Sequence, residues 1–315
     1  MRGIRVAASG KLIIGSRGSK LALWQANHIA DSLRAGHEGL EVEIKVIRTK
    51  GDKILDVALS KVGGKGLFTK ELEEAILRRE VDLAVHSLKD LPTELPAGLA
   101  ADIITRRTHG ADALLCRDGI SLADLPPDAV VGTSSLRRKV QLGALRPDLR
   151  IKDLRGNVDT RLRKLDDGEY DAIVLAQAGL ARLGLDGRIT ELLDPGKVVP
   201  AAGQGALALE YRADDQRTLE LISFLDHPGT HHEVDAERQF LGRLGGGCQV
   251  PIGAHAEVRG DGSLLLLGMV SDEDGRNIMR SSIIGMPGGT AGTDLAVRML
   301  AAGAQAIVDQ IYGKE

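Results

Sequence analysis

Apolar residues in the first two thirds of the chain follow two alternating patterns. Short continuous apolar runs, KLIIGS at 11–16, VEIKVI at 42–47 and VDLAVHSL at 81–88, read as buried strands. Between them, LALWQANHIADSLR at 21–34 and GLFTKELEEAILRRE at 66–80 repeat apolar positions at helical spacing. Strand and helix in alternation predict a mostly parallel sheet covered by helices. A second series begins near ADALLC at 111–116. Its strands are AVVGT at 129–133, RIKDL at 150–154 and YDAIVLA at 170–176; its helices are SLRRKVQLGAL at 135–145, VDTRLRKL at 158–165 and QAGLARLG at 177–184. VVPAAGQGALALEY at 198–211 reads as a return segment between domains. The last third changes character. AHAEVRG, LLLLGMVSD and NIMRSSIIG are separated by Asp-Gly turn signals and predict short antiparallel strands, closed by a helix over 294–312.

A length of 315 residues suits two or three domains. Apolar residues at 43% can fill those cores, and with aromatics at 2% the cores must rest on Leu, Val, Ile and Ala. Scarce aromatics also argue against single-stranded nucleic-acid binding, which relies on stacking platforms. No apolar leader and no 18-residue apolar run occurs, so a soluble, cytoplasmic protein without a membrane partner is expected. The two cysteines, Cys116 and Cys248, show no metal-ligand spacing, so neither zinc nor a disulfide scaffold is expected.

The formal net charge is −3, yet 27 of the 41 basic residues are Arg, the side chain that pairs bidentately with carboxylate or phosphate. They concentrate between Val131 and Arg163, where nine basic residues face only Asp148, Asp153 and Asp159. Of these, Arg137, Arg138 and Arg155 fall near strand ends and can face a cleft. Arg146, Arg150 and Arg163 are expected on solvated faces.

Ligands of parallel α/β sheets bind beyond the carboxyl ends of the strands. Those ends read Ser16-Arg17-Gly18-Ser19, His86-Ser87-Leu88-Lys89-Asp90, Thr133-Ser134-Ser135, Arg155-Gly156-Asn157 and Gln177. Ser, Thr or Asn at a helix start either caps the helix or also presents N–H groups to an anion, and the residues leave both open. Asp90 fits a general base or a stabiliser of developing positive charge equally as well as a surface turn before Pro92. GGKG at 63–66 lacks phosphate-loop spacing, and the stretch from about 50 to 66 reads as a mobile lid. His231-His232 with Glu237 reads as a solvated helix start. Cys116, in an apolar strand, reads as an inert core residue. Cys248 lies in GRLGGGCQVPIG at 242–253, where three glycines leave the thiol approachable. A nucleophile and an idle thiol both fit that setting.

Taken together, SRGSKLALWQ, KVGGKGLF, AVHSLKD, VGTSSLRR, LRGNVDTRL, LAQAGLARLG, PAAGQGAL and GGCQVPIGA resemble the porphobilinogen deaminase (hydroxymethylbilane synthase) family over nearly the whole chain. The resemblance implies two α/β domains like those of type II periplasmic binding proteins, with the active site between them. A smaller α+β C-terminal domain with a three-stranded antiparallel sheet follows. The implied boundaries are 1–105 with 200–222, then 106–199, then 223–315. The implied reaction joins four porphobilinogen molecules head to tail, releasing ammonia and giving hydroxymethylbilane. It also implies a dipyrromethane cofactor held by a thioether to Cys248.

Carried over by motif, Asp90 is the catalytic carboxylate, holding pyrrole N–H groups and stabilising a cationic azafulvene. Lys89 is a carboxylate contact, and Arg17 and Ser19 are anion contacts of the first strand. Arg137, Arg138, Arg155, Arg161 and Arg182 grip acetate and propionate groups. Thr133 and Ser135 contact the cofactor, and Gln25, Phe68 and Asn157 lie near the site. Many members have Pro where this chain has Lys20. A monomer without nucleic-acid partners is the family expectation. Two other readings use the same basic cluster: an organic-anion-binding sensor or solute-binding module, which needs neither Asp90 nor Cys248, and an RNA-binding protein, which lacks a matching motif.

Overall fold

The computed structural model describes residues 6–49, 69–245 and 250–312. Phe68, Cys248 and the expected lid at 50–66 lie outside the described residues. The chain lays down β1 (Val6–Ser16), β2 (His37–Val46), β3 (Leu83–Ser87) and β4 (Leu99–Ile104) in a first sheet. A second sheet takes β5 (Asp112–Cys116), β6 (Val130–Gly132), β7 (Arg150–Lys152), β8 (Ala172–Ala176) and β9 (Glu191–Leu193). The chain then returns to the first sheet as β10 (Leu207–Arg212), and β11 (Ile252–Val258), β12 (Leu264–Ser271) and β13 (Ile278–Gly285) form an antiparallel third sheet.

The two α/β sheets share one topology. The first runs β2-β1-β3-β10-β4 and the second β7-β6-β8-β5-β9. In each, three neighbouring strands are parallel, and the strand that crosses between sheets (β10 or β5) inserts antiparallel to both its neighbours. The third sheet is the expected three-stranded antiparallel one.

The chain divides into two units. One holds the first sheet, including Ala206–His231; the other holds Thr108–Gly205 and the chain from His232 onward, so it contains both the second and third sheets.

Helices form where apolar spacing and caps coincide. α1 (Lys20–Gly36) starts at Ser19, whose hydroxyl accepts from the Ala22 N–H at 3.3 Å. Lys20 is therefore the first helical residue, a position where the backbone N–H is not needed and where Pro is also tolerated. α1 buries Ala26, Ile29, Ala30 and Leu33 against Leu12 and Ile14 of β1, while α2 (Lys70–Leu77) covers the opposite face with Leu72, Ala75 and Ile76. Each fully buried Leu or Ile contributes roughly 1.5–3 kcal/mol.

In the second sheet, α3 (Leu136–Leu145) covers one face. α4 (Val158–Asp166), capped by Asn157 through the Thr160 N–H at 2.9 Å, and α5 (Gln177–Arg182) cover the other. α6 (Gln216–Ile222) follows β10, and α7 (Pro228–Arg243), α8 (Ala291–Met299) and α9 (Gln305–Tyr312) complete the helices among the described residues.

Within the larger unit the second and third sheets are locked together. Val140, Val199 and Met269 are buried in one cluster. Glu237, fully buried on α7, accepts from Gly203 N at 2.6 Å and Ala256 N at 2.7 Å, tying the 199–203 segment to β11. A Cβ at Gly253 would lie 2.9 Å from Val199 O, so only glycine allows this approach. β11 begins at Ile252, four residues after Cys248 in the sequence.

Several sequence expectations need correction. The return segment at 198–211 ends in a full strand, β10, whose alternation is masked by Glu210 and Arg212 on its second face. β4, β9, α6 and α7 carried too few periodic positions to be read. The closing helix is broken at Gly303, whose φ of 116° no helix can hold, between α8 and α9. Cys116 is half-buried at the edge of its cluster rather than a fully enclosed core residue. Arg146 is no merely solvated side chain: it pairs with Asp148 and donates to the carbonyls of Leu122, Ala123 and Leu125, fastening that loop.

Candidate active site

In the smaller unit, β1 and β3 are parallel neighbours, so their carboxyl ends open on the same edge. β1 delivers half-buried Arg17 and Ser19 there. β3 delivers Ser87, then a single helical turn, Leu88–Asp90, that leaves Lys89 half-buried and Asp90 exposed. The turn is anchored by Leu88 N donating to Ala206 O and Leu91 N to Leu88 O. Gln25, 3% exposed on α1, donates to Ser87 Oγ at 2.8 Å and so fixes the strand end that precedes Asp90.

The opposite face of β3 carries His86, whose Nε2 lies 2.9 Å from Glu210 Oε2; both residues are buried. Glu73 of α2 packs nearby, and burial, assisted by the Glu210 charge, raises its carboxyl above the usual range. The native state therefore holds this proton above the ordinary Glu value of 4.5, and stability falls as pH rises through that window. Glu73→Gln is expected to melt no lower than the parent near neutral pH and to lose part of the parent's gain on acidification. Melting curves collected from about pH 5 to 8 check this; a variant destabilised near neutrality contradicts it.

In the larger unit, β7, β6 and β8 are parallel, and their carboxyl ends bring Arg155, Thr133 to Ser135, and Gln177 to one edge. Thr133 is buried; its N–H donates to Lys152 O, and its hydroxyl accepts from Ser135 N at 3.3 Å. Ser135 is the N-cap of α3, but its hydroxyl makes no cap bond. Asn157 is exposed and capping, Arg155 is half-buried, and Arg161 Nε donates to Gly156 O at 2.7 Å.

Arg137 and Arg138, in the first turn of α3, are only 4% and 6% exposed. Arg137 Nη1 donates to Asp112 Oδ2 at 2.8 Å and to Val199 O at 2.6 Å. Arg138 Nη2 donates to Asp112 Oδ1 at 2.7 Å, and its Nη1 to Val174 O at 3.0 Å. Gln204 Nε2 completes the network on Asp112 Oδ1 at 2.9 Å. Burial alone would raise the Asp112 carboxyl, but the two guanidinium charges hold it well below the carboxylate range. Arg182 is also buried, donating to Gly205 O at 2.7 Å, and desolvation lowers it to about 10, still a cation at neutral pH.

One carboxylate under two guanidiniums leaves a net positive charge in a buried place. Arg138 Nε is enclosed without a partner among the described residues. These groups suit an anion with several oxygens. Among the described residues no cluster of His, Cys, Asp and Glu could hold a metal ion. No helix among them is long and apolar enough to cross a membrane.

Residues 12–220 match the family model described as porphobilinogen deaminase, dipyromethane cofactor binding domain, and residues 231–301 match that of its C-terminal domain. The chain belongs to the porphobilinogen deaminase family. The relative from Nitratidesulfovibrio vulgaris strain Miyazaki F is 52% identical over 309 residues, covering 96% of this chain and 98% of its own. That from Maridesulfovibrio salexigens is 54% identical over 307 residues, covering 96% and 99%. Both bear the family name. Among solved structures, a putative methionine-binding lipoprotein from Bacillus subtilis overlays with a TM-score of 0.42 at 11% identity, over 70% of this chain and 92% of that one. The protein is thus a transferase of tetrapyrrole synthesis that joins porphobilinogen units, and its cofactor is dipyrromethane.

The motif reading did not single out Ser87, Asp112 or Gln204. Ser87 and Gln204 lie inside quoted motifs. Asp112, an acid opening an apolar strand, was the available signal for a buried ion pair.

Proposed function

We propose that Asp90 is the catalytic carboxylate of porphobilinogen polymerisation and that Cys248 anchors the dipyrromethane. Support for Asp90 comes from its position: an exposed carboxylate on an anchored turn at the carboxyl edge of β3. Each addition breaks one C–N bond, releases ammonia, forms one C–C bond and frees one ring proton. Positive charge develops on the incoming pyrrole as ammonia leaves, and a fixed carboxylate stabilises it. Asp90 also accepts from pyrrole N–H groups, which orients the ring. When bound, the dipyrromethane supplies the pyrrole carbon to which new units are joined. Arg17, Ser19 and Lys89 bind carboxylates beside Asp90, with Gln25 and Phe68 shaping the surroundings. Thr133, Ser135, Arg137, Arg138, Arg155, Asn157, Arg161 and Arg182 bind acetate and propionate groups of cofactor and growing chain. The protein acts as a cytoplasmic monomer without membrane or nucleic-acid partners, with domains at 1–105 with 200–222, 106–199 and 223–315.

The purified protein incubated with porphobilinogen is expected to release one ammonia per molecule consumed and to yield a linear tetrapyrrole. Binding of porphobilinogen without ammonia release would support the solute-binding reading instead.

A further inference from the structure

We infer that Asp112 is the positioning residue that presets Arg137 and Arg138 as a carboxylate receptor. This rests on the reading above, in which those arginines bind the carboxylated pyrroles.

A free arginine side chain samples many rotamers, and ordering it at the moment of binding weakens affinity. Here neither guanidinium has that freedom. Asp112 is fully buried at the first position of β5, opposite Ala176 at the end of β8, so its carboxylate sits at the carboxyl edge of the parallel strands. Its two oxygens divide between the arginines, Oδ2 to Arg137 and Oδ1 to Arg138. Each arginine is then held a second time by a backbone carbonyl, Val199 O or Val174 O. Gln204 fixes the carboxylate itself and also donates to Gly110 O and Ala111 O, so the anchor is rigid on both sides.

The charge balance points the same way. A purely structural pair would match one guanidinium to one carboxylate. Among the described residues two buried guanidiniums share a single carboxylate, which leaves one positive charge uncompensated, and burying an unpaired charge is costly. An anionic ligand removes that cost. The arrangement thus favours a ligand with several carboxylates over a neutral one, and it does so before the ligand arrives.

The test compares Asp112→Asn, Asp112→Glu and Arg138→Gln with the parent. Three readouts are collected: the fraction of purified protein carrying the attached group by intact mass, KM and kcat for porphobilinogen, and the melting temperature. Asp112→Asn removes the charge and is expected to destabilise the fold. Asp112→Glu keeps the charge but moves it by one methylene, so it should fold while misplacing both guanidiniums. Charge-assisted hydrogen bonds contribute about 1.5–3 kcal/mol, so Asp112→Glu is expected to raise KM about tenfold or more, or to lower the attached fraction comparably, with a smaller change in kcat. If Asp112→Glu melts lower but keeps parental KM and attached fraction, Asp112 is only structural and the inference fails. Arg138→Gln separates the two claims. If it alters KM or attached fraction while Asp112→Glu does not, positioning by Asp112 is wrong. If neither variant alters them, the assignment of the arginines to carboxylates is wrong as well.

Discussion

Asp90→Asn is expected to lower kcat about 10²–10⁴-fold, the range for losing a positioned acid–base or charge-stabilising group, while leaving the fold intact. The amide matches the carboxylate in size and can still meet one pyrrole N–H, but it carries no charge to oppose the cation that forms as ammonia leaves. The effect should therefore fall on kcat more than on KM. Stability should change little, because Asp90 is exposed and its turn is held by backbone bonds at Leu88 and Leu91. Steady-state rates and melting curves of the same preparation check both halves. Near-parental kcat in a well-folded variant would remove Asp90 from the chemistry.

Cys248→Ser is expected to yield protein whose intact mass equals its sequence and whose turnover is lost. A hydroxyl is a far weaker nucleophile than a thiolate and does not form the thioether. The loss arises before catalysis, at attachment, so it differs from that of Asp90→Asn, which should still carry the cofactor mass. Cys116 is the internal control: it is half-buried beside the second-sheet core. Cys116→Ser should retain both attached mass and activity. Attachment surviving Cys248→Ser but failing in Cys116→Ser would reverse the assignment.

Much of the two α/β sheets was legible because parallel strands buried on both faces are continuous apolar runs, as in the central stretch of β1 and in β8, and their helices repeat at helical spacing. β10 was not, because its partners β3 and β4 lie about a hundred residues away in sequence and its second face carries Glu210 and Arg212. Those side chains read as surface residues until His86 and the carbonyls of Ile76 and Val81 are placed against them.

The site shows the same division. Strand-end motifs located Arg17, Asp90, Thr133 and Arg155 at sheet edges, since position along the chain determines that. Burial of Arg137 and Arg138 was not legible. Their place near a strand end marked them as able to face a cleft, but only the tertiary meeting of α3 with β5 reveals Asp112 between them. Lys20 in place of Pro proved simple to accommodate, because it falls at the first position of α1.

The most direct measurement of the central claim is the intact mass of the denatured parent protein before and after brief exposure to porphobilinogen. The account predicts a resting mass above the sequence mass by two linked pyrrole units, and then a ladder of species each heavier by one further unit. An active protein whose mass equals its sequence, with no ladder on adding porphobilinogen, would contradict it.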